Sequence, residues 1–157
     1  MKDVVVVHVE RALQMLKRAI DDCPDNARDL PDEALSIWQY AYDCLIGLDV
    51  WVREPGGPFA PPPFQNDAGG NLLNGQGAVM TRDQIVRYRD DAYARCRAVL
   101  ERTSAADFTK DVEIMGFTAS LADRALDQMR HVQHHVGSMH TQLRRRTGAA
   151  PQWVGLA

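Results

Sequence analysis

Cysteine is scarce in this chain of 157 residues: three, Cys23, Cys44 and Cys96, far apart and with no CxxC pair. An odd, scattered set argues against a disulfide framework and fits reduced thiols in a cytosolic protein. A long apolar run at the start is missing too. The opening MKDVVVVHVERALQ has four valines in a row, at 4–7, and then charge at Glu10 and Arg11. That is too short and too soon interrupted for a signal peptide or a membrane span. Positive charge is not in excess. Eighteen Lys and Arg stand against 21 Asp and Glu, a net charge of −3, which argues against a phosphate-binding surface. The run Arg144, Arg145, Arg146 is a short local exception. These absences lead us to expect a soluble, cytoplasmic protein with neither nucleic acid nor membrane as partner. Strand-like alternation is absent as well, so no convincing strand is expected.

What is present is helical period. Apolar residues make up 45% and charged residues 25% of the chain, ordinary for a globular protein, and the length suits one domain over 1–157. A first helix is expected over about 3–23, with Val6, Val9, Leu13, Leu16 and Ile20 on one face and Pro24 closing it. A second is expected over about 31–53. Leu35, Trp38, Tyr42, Leu45, Asp49 and Val52 form its main stripe. Ile37, Tyr40, Ile46 and Trp51 add apolar surface on other sides, so it should pack on more than one partner. A Pro-, Gly- and Asn-rich connection over 54–80 follows, too broken for a continuous helix. Its Phe59, Pro61, Pro62, Pro63 and Phe64 could pack down as a lid. The third helix opens on the capping-box pattern of Thr81 and Gln84 and carries Ile85, Tyr88, Ala92, Cys96 and Val99. A second connection spans 103–117. The fourth helix is expected over about 118–146, striped by Leu121, Ala125, Gln128, Val132, Val136, Met139 and Leu143 and stopped by Gly148. Four long helices and two long connections predict an all-α four-helix bundle with crossover connections.

Four of the five histidines lie in HVQHHVGSMH, residues 131–140. His131 and His135 are four apart, so they share a helix face at the edge of the apolar stripe. Two imidazoles at that spacing can grip one ion, as in HExxH helices. His134 points further towards solvent, His140 lies on the opposite flank, and the fifth histidine, His8, is far away in sequence. In an arbitrary helix such a pair is more often solvated than metallated, and a metal site wants at least three protein ligands.

The segment HVQHHVG is similar to the HxxHH segment of the DinB/YfiT-like family of four-helix-bundle proteins. The tail GAAPQWVG resembles the ending of one branch of it. So does WQYAYDCLIGLDVWV with the following FAPPPF, where that branch reads roughly W-x-x-A-Y-H-T-L-F. The resemblance implies a divalent metal bound by His131 and His135 and by a third histidine on the second helix. This sequence has Gln39 or, one turn on, Asp43 at those places. Asp43 would complete a two-histidine, one-carboxylate set for iron, zinc or nickel. Gln39 would be a weak ligand or a hydrogen-bond partner of one. Asp49 is a rival carboxylate on the stripe, or else a buried acid holding an arginine, and Cys44 is a distant further candidate. The resemblance also implies a metal-dependent hydrolase, or a transferase using a low-molecular-weight thiol, acting on a small molecule as a homodimer. Tyr42 and Glu113 have the chemistry of a general base and nothing more to mark them. The exposed aromatics Tyr40 and Trp51 suit a helix-face dimer. The competing reading is a non-catalytic, metal-free, stress-associated binding bundle.

Overall fold

The computed structural model describes residues 1–25, 36–57, 80–149 and 151–155. The expected helix start at Pro31, the stripe residue Leu35 and the lid over 59–64 lie outside these. The described residues are mostly helical. They form α1 (Lys2–Asp21), α2 (Ile37–Trp51), α3 (Arg82–Arg102), the single turn α4 (Ala105–Phe108), strands β1 (Asp111–Ile114) and β2 (Phe117–Ser120), and α5 (Leu121–Thr147).

The sequence signals explain where most of these begin and end. Ser36 caps α2 in a reciprocal box: its side chain meets the backbone of Gln39, and Gln39 Oε1 accepts from Ser36 N at 2.7 Å. Thr81 and Gln84 repeat that arrangement at α3. The long α5 is capped by Ser120, whose Oγ accepts from Asp123 N at 3.1 Å, and it ends at Gly148 with φ 75°, the left-handed stop glycine makes easily.

The core follows the helical stripes. Leu13, Leu16, Leu45, Leu48, Val132, Val136 and Met139 are all but inaccessible, and burial of such side chains contributes about 1.5–3 kcal/mol each. Helix α2 is buried on two sides, through Trp38, Tyr42 and Leu45 and through Ile37, Ala41, Cys44 and Leu48. The neighbours explain this: α5 packs along both α1 and α2, and α2 also packs on α3.

The expectation that the chain has no strand was wrong. Across the end of the second connection and the expected start of the fourth helix, β1 and β2 pair antiparallel, Asp111 opposite Ser120 and Ile114 opposite Phe117. The two-residue turn Met115-Gly116 has positive φ at both positions, 52° and 82°, which matches the twist of a tight hairpin. The fourth long helix therefore starts at Leu121 rather than near 118, because 117–120 are spent on β2. The hairpin also matters to α2, since Phe117 sets its ring edge-on to Trp51 at 5.4 Å between centroids.

Candidate metal centre

Two helices build the site. On α2, Asp43 and Gly47 are one turn apart. On α5, Gln128, His131 and His135 lie on one face. Asp43 Oδ2 is 3.0 Å from His131 Nε2 and 3.0 Å from His135 Nε2, and the two Nε2 atoms are 3.0 Å from each other. The three donor atoms thus form a near-equilateral triangle. Asp43 lies well round α2 from the main stripe of Trp38, Tyr42 and Leu45. With two buried sides, α2 turns the edge that carries Asp43 towards α5, and the carboxylate is largely covered.

That triangle has a metal-binding dimension. With metal–ligand bonds of about 2.1 Å, octahedral neighbours lie about 3.0 Å apart and tetrahedral ones about 3.4 Å. The spacing therefore matches one face of an octahedron, which leaves positions open on the other side.

Proton placement points the same way. Gln128 Oε1 lies 3.2 Å from His131 Nδ1. A carbonyl oxygen only accepts, so this contact is satisfied by the tautomer whose Nδ1 carries the hydrogen and donates it. In the neutral ring this leaves Nε2 as a bare lone pair facing a carboxylate oxygen. A cation at the triangle would turn this repulsion into ligation. Burial pushes the Asp43 carboxyl upward, but when the two imidazoles carry their protons their hydrogen bonds and charges outweigh it and hold the group well below the usual carboxylate range. Asp43 is an anion, and the donor set suits iron(II), zinc or nickel. The two histidines are not supported alike. His135 Nδ1 is enclosed and has no hydrogen-bond partner among the described residues; the Tyr40 ring lies 5.4 Å from its ring.

The other candidates fall elsewhere. Gln39 is buried, and its Oε1 is engaged at the N-terminus of α2 with Ser36 N and Oγ, so that oxygen serves the cap. Asp49 is the buried acid holding an arginine: Arg95 grips it through Nε at 2.7 Å and Nη2 at 3.0 Å, and Tyr88 donates its hydroxyl at 3.3 Å. Cys44 is fully buried in the core, and burial followed by the Asp43 charge pushes its thiol far up. Tyr42 is likewise a core residue with its hydroxyl pushed up by burial. Glu113 is exposed on β1 opposite Thr118.

Among the remaining histidines, His8 is exposed on α1. His134 is exposed, with its ring 5.0 Å from that of His135. His140, expected at the surface, is half-buried; its Nε2 is enclosed, and burial with the nearby Arg144 lowers its pKa. Tyr40 and Trp51, expected as an exposed dimer face, are both half-buried and engaged, with His135 and Phe117 respectively. Gln128 and Gly47 are site residues that the sequence reading did not single out. An open depression of about 560 Å³ adjoins the triangle, lined by Trp51, Asp127, Gln128, Arg130, His131 and His134.

No family model, curated protein or solved structure matches the chain. No described helix is long and apolar enough to cross a membrane.

Proposed function

We propose that the chain is a divalent-metal-binding protein of the DinB/YfiT-like kind, with Asp43, His131 and His135 as ligands. The observation that carries this reading is the 3.0 Å triangle of one carboxylate oxygen and two imidazole nitrogens drawn from two helices. The fold is consistent with it. Contacts run from α1 to α5, α5 to α2, α2 to α3 and α3 back to α1, which supports a four-helix bundle with long crossover connections.

The proposed activity is hydrolysis of, or thiol transfer to, a small molecule. A bound ion would lower the pKa of a coordinated water or thiol and supply a nucleophile near neutral pH. Asp43 would supply the anionic oxygen, and His131, held through Nδ1, would keep Nε2 aimed at the ion. The depression beside His131 is large enough for a small molecule, with the Trp51 ring as an apolar wall and His134 and Arg130 as polar ones. The resemblance also implies a homodimer, which sedimentation would read directly.

Metal analysis of untagged protein after reconstitution tests the reading. About one ion per chain is expected, falling to background in the His131→Ala, His135→Ala double variant. If the wild-type chain takes up no ion, the metal-free reading takes its place. One feature favours that second reading: the three groups can also close on one another as an Asp–His cluster if an imidazole takes up a proton.

A further inference from the structure

At Gly47 the α2 backbone lies close against the site. A Cβ placed on Gly47 would lie 2.8 Å from Gln128 Oε1 and 3.0 Å from both Cε1 and Nδ1 of His131. These are the two partners of the Gln128–His131 hydrogen bond. Carbon contacts are comfortable only at about 3.5–4.0 Å, so any side chain at this position drives into that bond. Glycine in mid-helix weakens the helix, and close packing is a physical reason for it here. Gln128 is itself an oddity: a polar residue 4% exposed in the middle of an apolar stripe. Its oxygen reaches the one nitrogen of His131 that faces away from Asp43.

We infer that Gln128 is a positioning residue for His131, and that Gly47 leaves the space in which it acts. Gln128 fixes the hydrogen on Nδ1 and the plane of the ring, so that Nε2 meets Asp43 and His135 with its lone pair. Gly47 lets α2 come near enough for Asp43, one turn earlier, to reach the same point. This rests on the metal reading above. It adds that the affinity of the triangle is set in part by two residues that do not touch the ion.

Cobalt(II) titration of the untagged chain, followed by visible absorption, tests this. Gln128→Leu keeps the volume and removes the acceptor; it should weaken cobalt binding about tenfold or more, the usual scale for partners of metal-bound histidines. Gln128→Glu keeps an acceptor and should bind within about threefold of wild type, with the wild-type absorption band. Gly47→Ala should weaken binding about tenfold, with the far-UV helical signal retained. Cobalt affinity within threefold of wild type in both Gln128→Leu and Gly47→Ala overturns the inference while the metal reading stands. A Gln128→Glu chain as weak as Gln128→Leu overturns it too, since the acceptor would not be what matters. A wild-type chain that binds no cobalt overturns both.

Discussion

Asp43 and Asp49 sit six residues apart on α2, and both are largely buried, yet their surroundings differ in kind. Asp49 is closed off: a guanidinium takes both its oxygens and a tyrosine hydroxyl adds a third bond. Its charge is answered within the protein. Asp43 meets two imidazoles whose nitrogens converge on one of its oxygens. An imidazole pinned through Nδ1 would offer a lone pair there, to which a metal ion could bind. Burial alone therefore does not separate a structural carboxylate from a proposed ligand. The type of nitrogen facing it does: guanidinium only donates, whereas neutral imidazole can accept a metal.

The largest contrast should appear in metal binding. Asp43→Asn removes the only anionic donor of the triangle and should cost about a hundredfold or more in affinity, near 3 kcal/mol, in a titration with cobalt or zinc. Asp49→Asn should leave affinity unchanged. The same contrast should appear in thermal unfolding. At a free metal concentration about a hundred times Kd, binding adds about 2.7 kcal/mol of stability. Wild type and Asp49→Asn should show that gain and lose it on chelation, and Asp43→Asn should gain no more than about 0.4 kcal/mol. Equal metal stabilisation in all three proteins would refute the assignment of Asp43.

Without metal the order should invert. Asp49→Asn loses the two-pronged pairing with Arg95 and should destabilise the chain by about 2 kcal/mol, below the cost of breaking a fully buried pair because the Arg95 side chain is 52% exposed. Denaturant melts of the metal-free proteins measure this. Asp43→Asn should cost less than Asp49→Asn there, since the imidazoles can turn to water.

Why one carboxylate was easier to read than the other comes down to period. The buried faces of α1, α3 and α5 follow from three- and four-residue spacing, and Ile85, Tyr88, Ala92, Cys96 and Val99 are all buried as their spacing indicates. Asp49 lay on such a stripe, and its arginine partner was among the readings considered. Asp43 lies off the main stripe of α2; the further apolar residues of that helix indicate a second buried side, but period does not say which edge faces α5. The capping role of Gln39 is hidden by the helix start: once Ser36 is the N-cap, Ser36 and Gln39 form a capping box, but a start set at Pro31 hides it. The hairpin gave little signal, since each strand is four residues long and Met115-Gly116 is not a common turn pair. Gly47 left none, because what it permits is an approach between helices distant in sequence.

A third acid, Asp21 at the end of α1, tests whether a charge-paired carboxylate near the surface behaves like Asp49 on a smaller scale. Lys17 and Arg89 both bond to it. Partial burial pushes its carboxyl upward, but the hydrogen bonds and charges of Lys17 and Arg89 prevail and hold it below its ordinary value. The unfolded chain takes up this proton first, near pH 3.9. Asp21 therefore contributes its stability in full above that pH and loses it as the pH falls through the lower folded value. Denaturant melts of the metal-free chain at a series of pH values from about 6 to 3 should show stability falling with acid in the wild type. The fall should be shallower in Asp21→Asn. An acid limb equally steep in both proteins would mean that solvent screens these pairs to nothing. The difference should be the smallest of those expected here, because the Asp21 side chain is 34% exposed and its Lys17 partner 52%, and water already answers much of the charge.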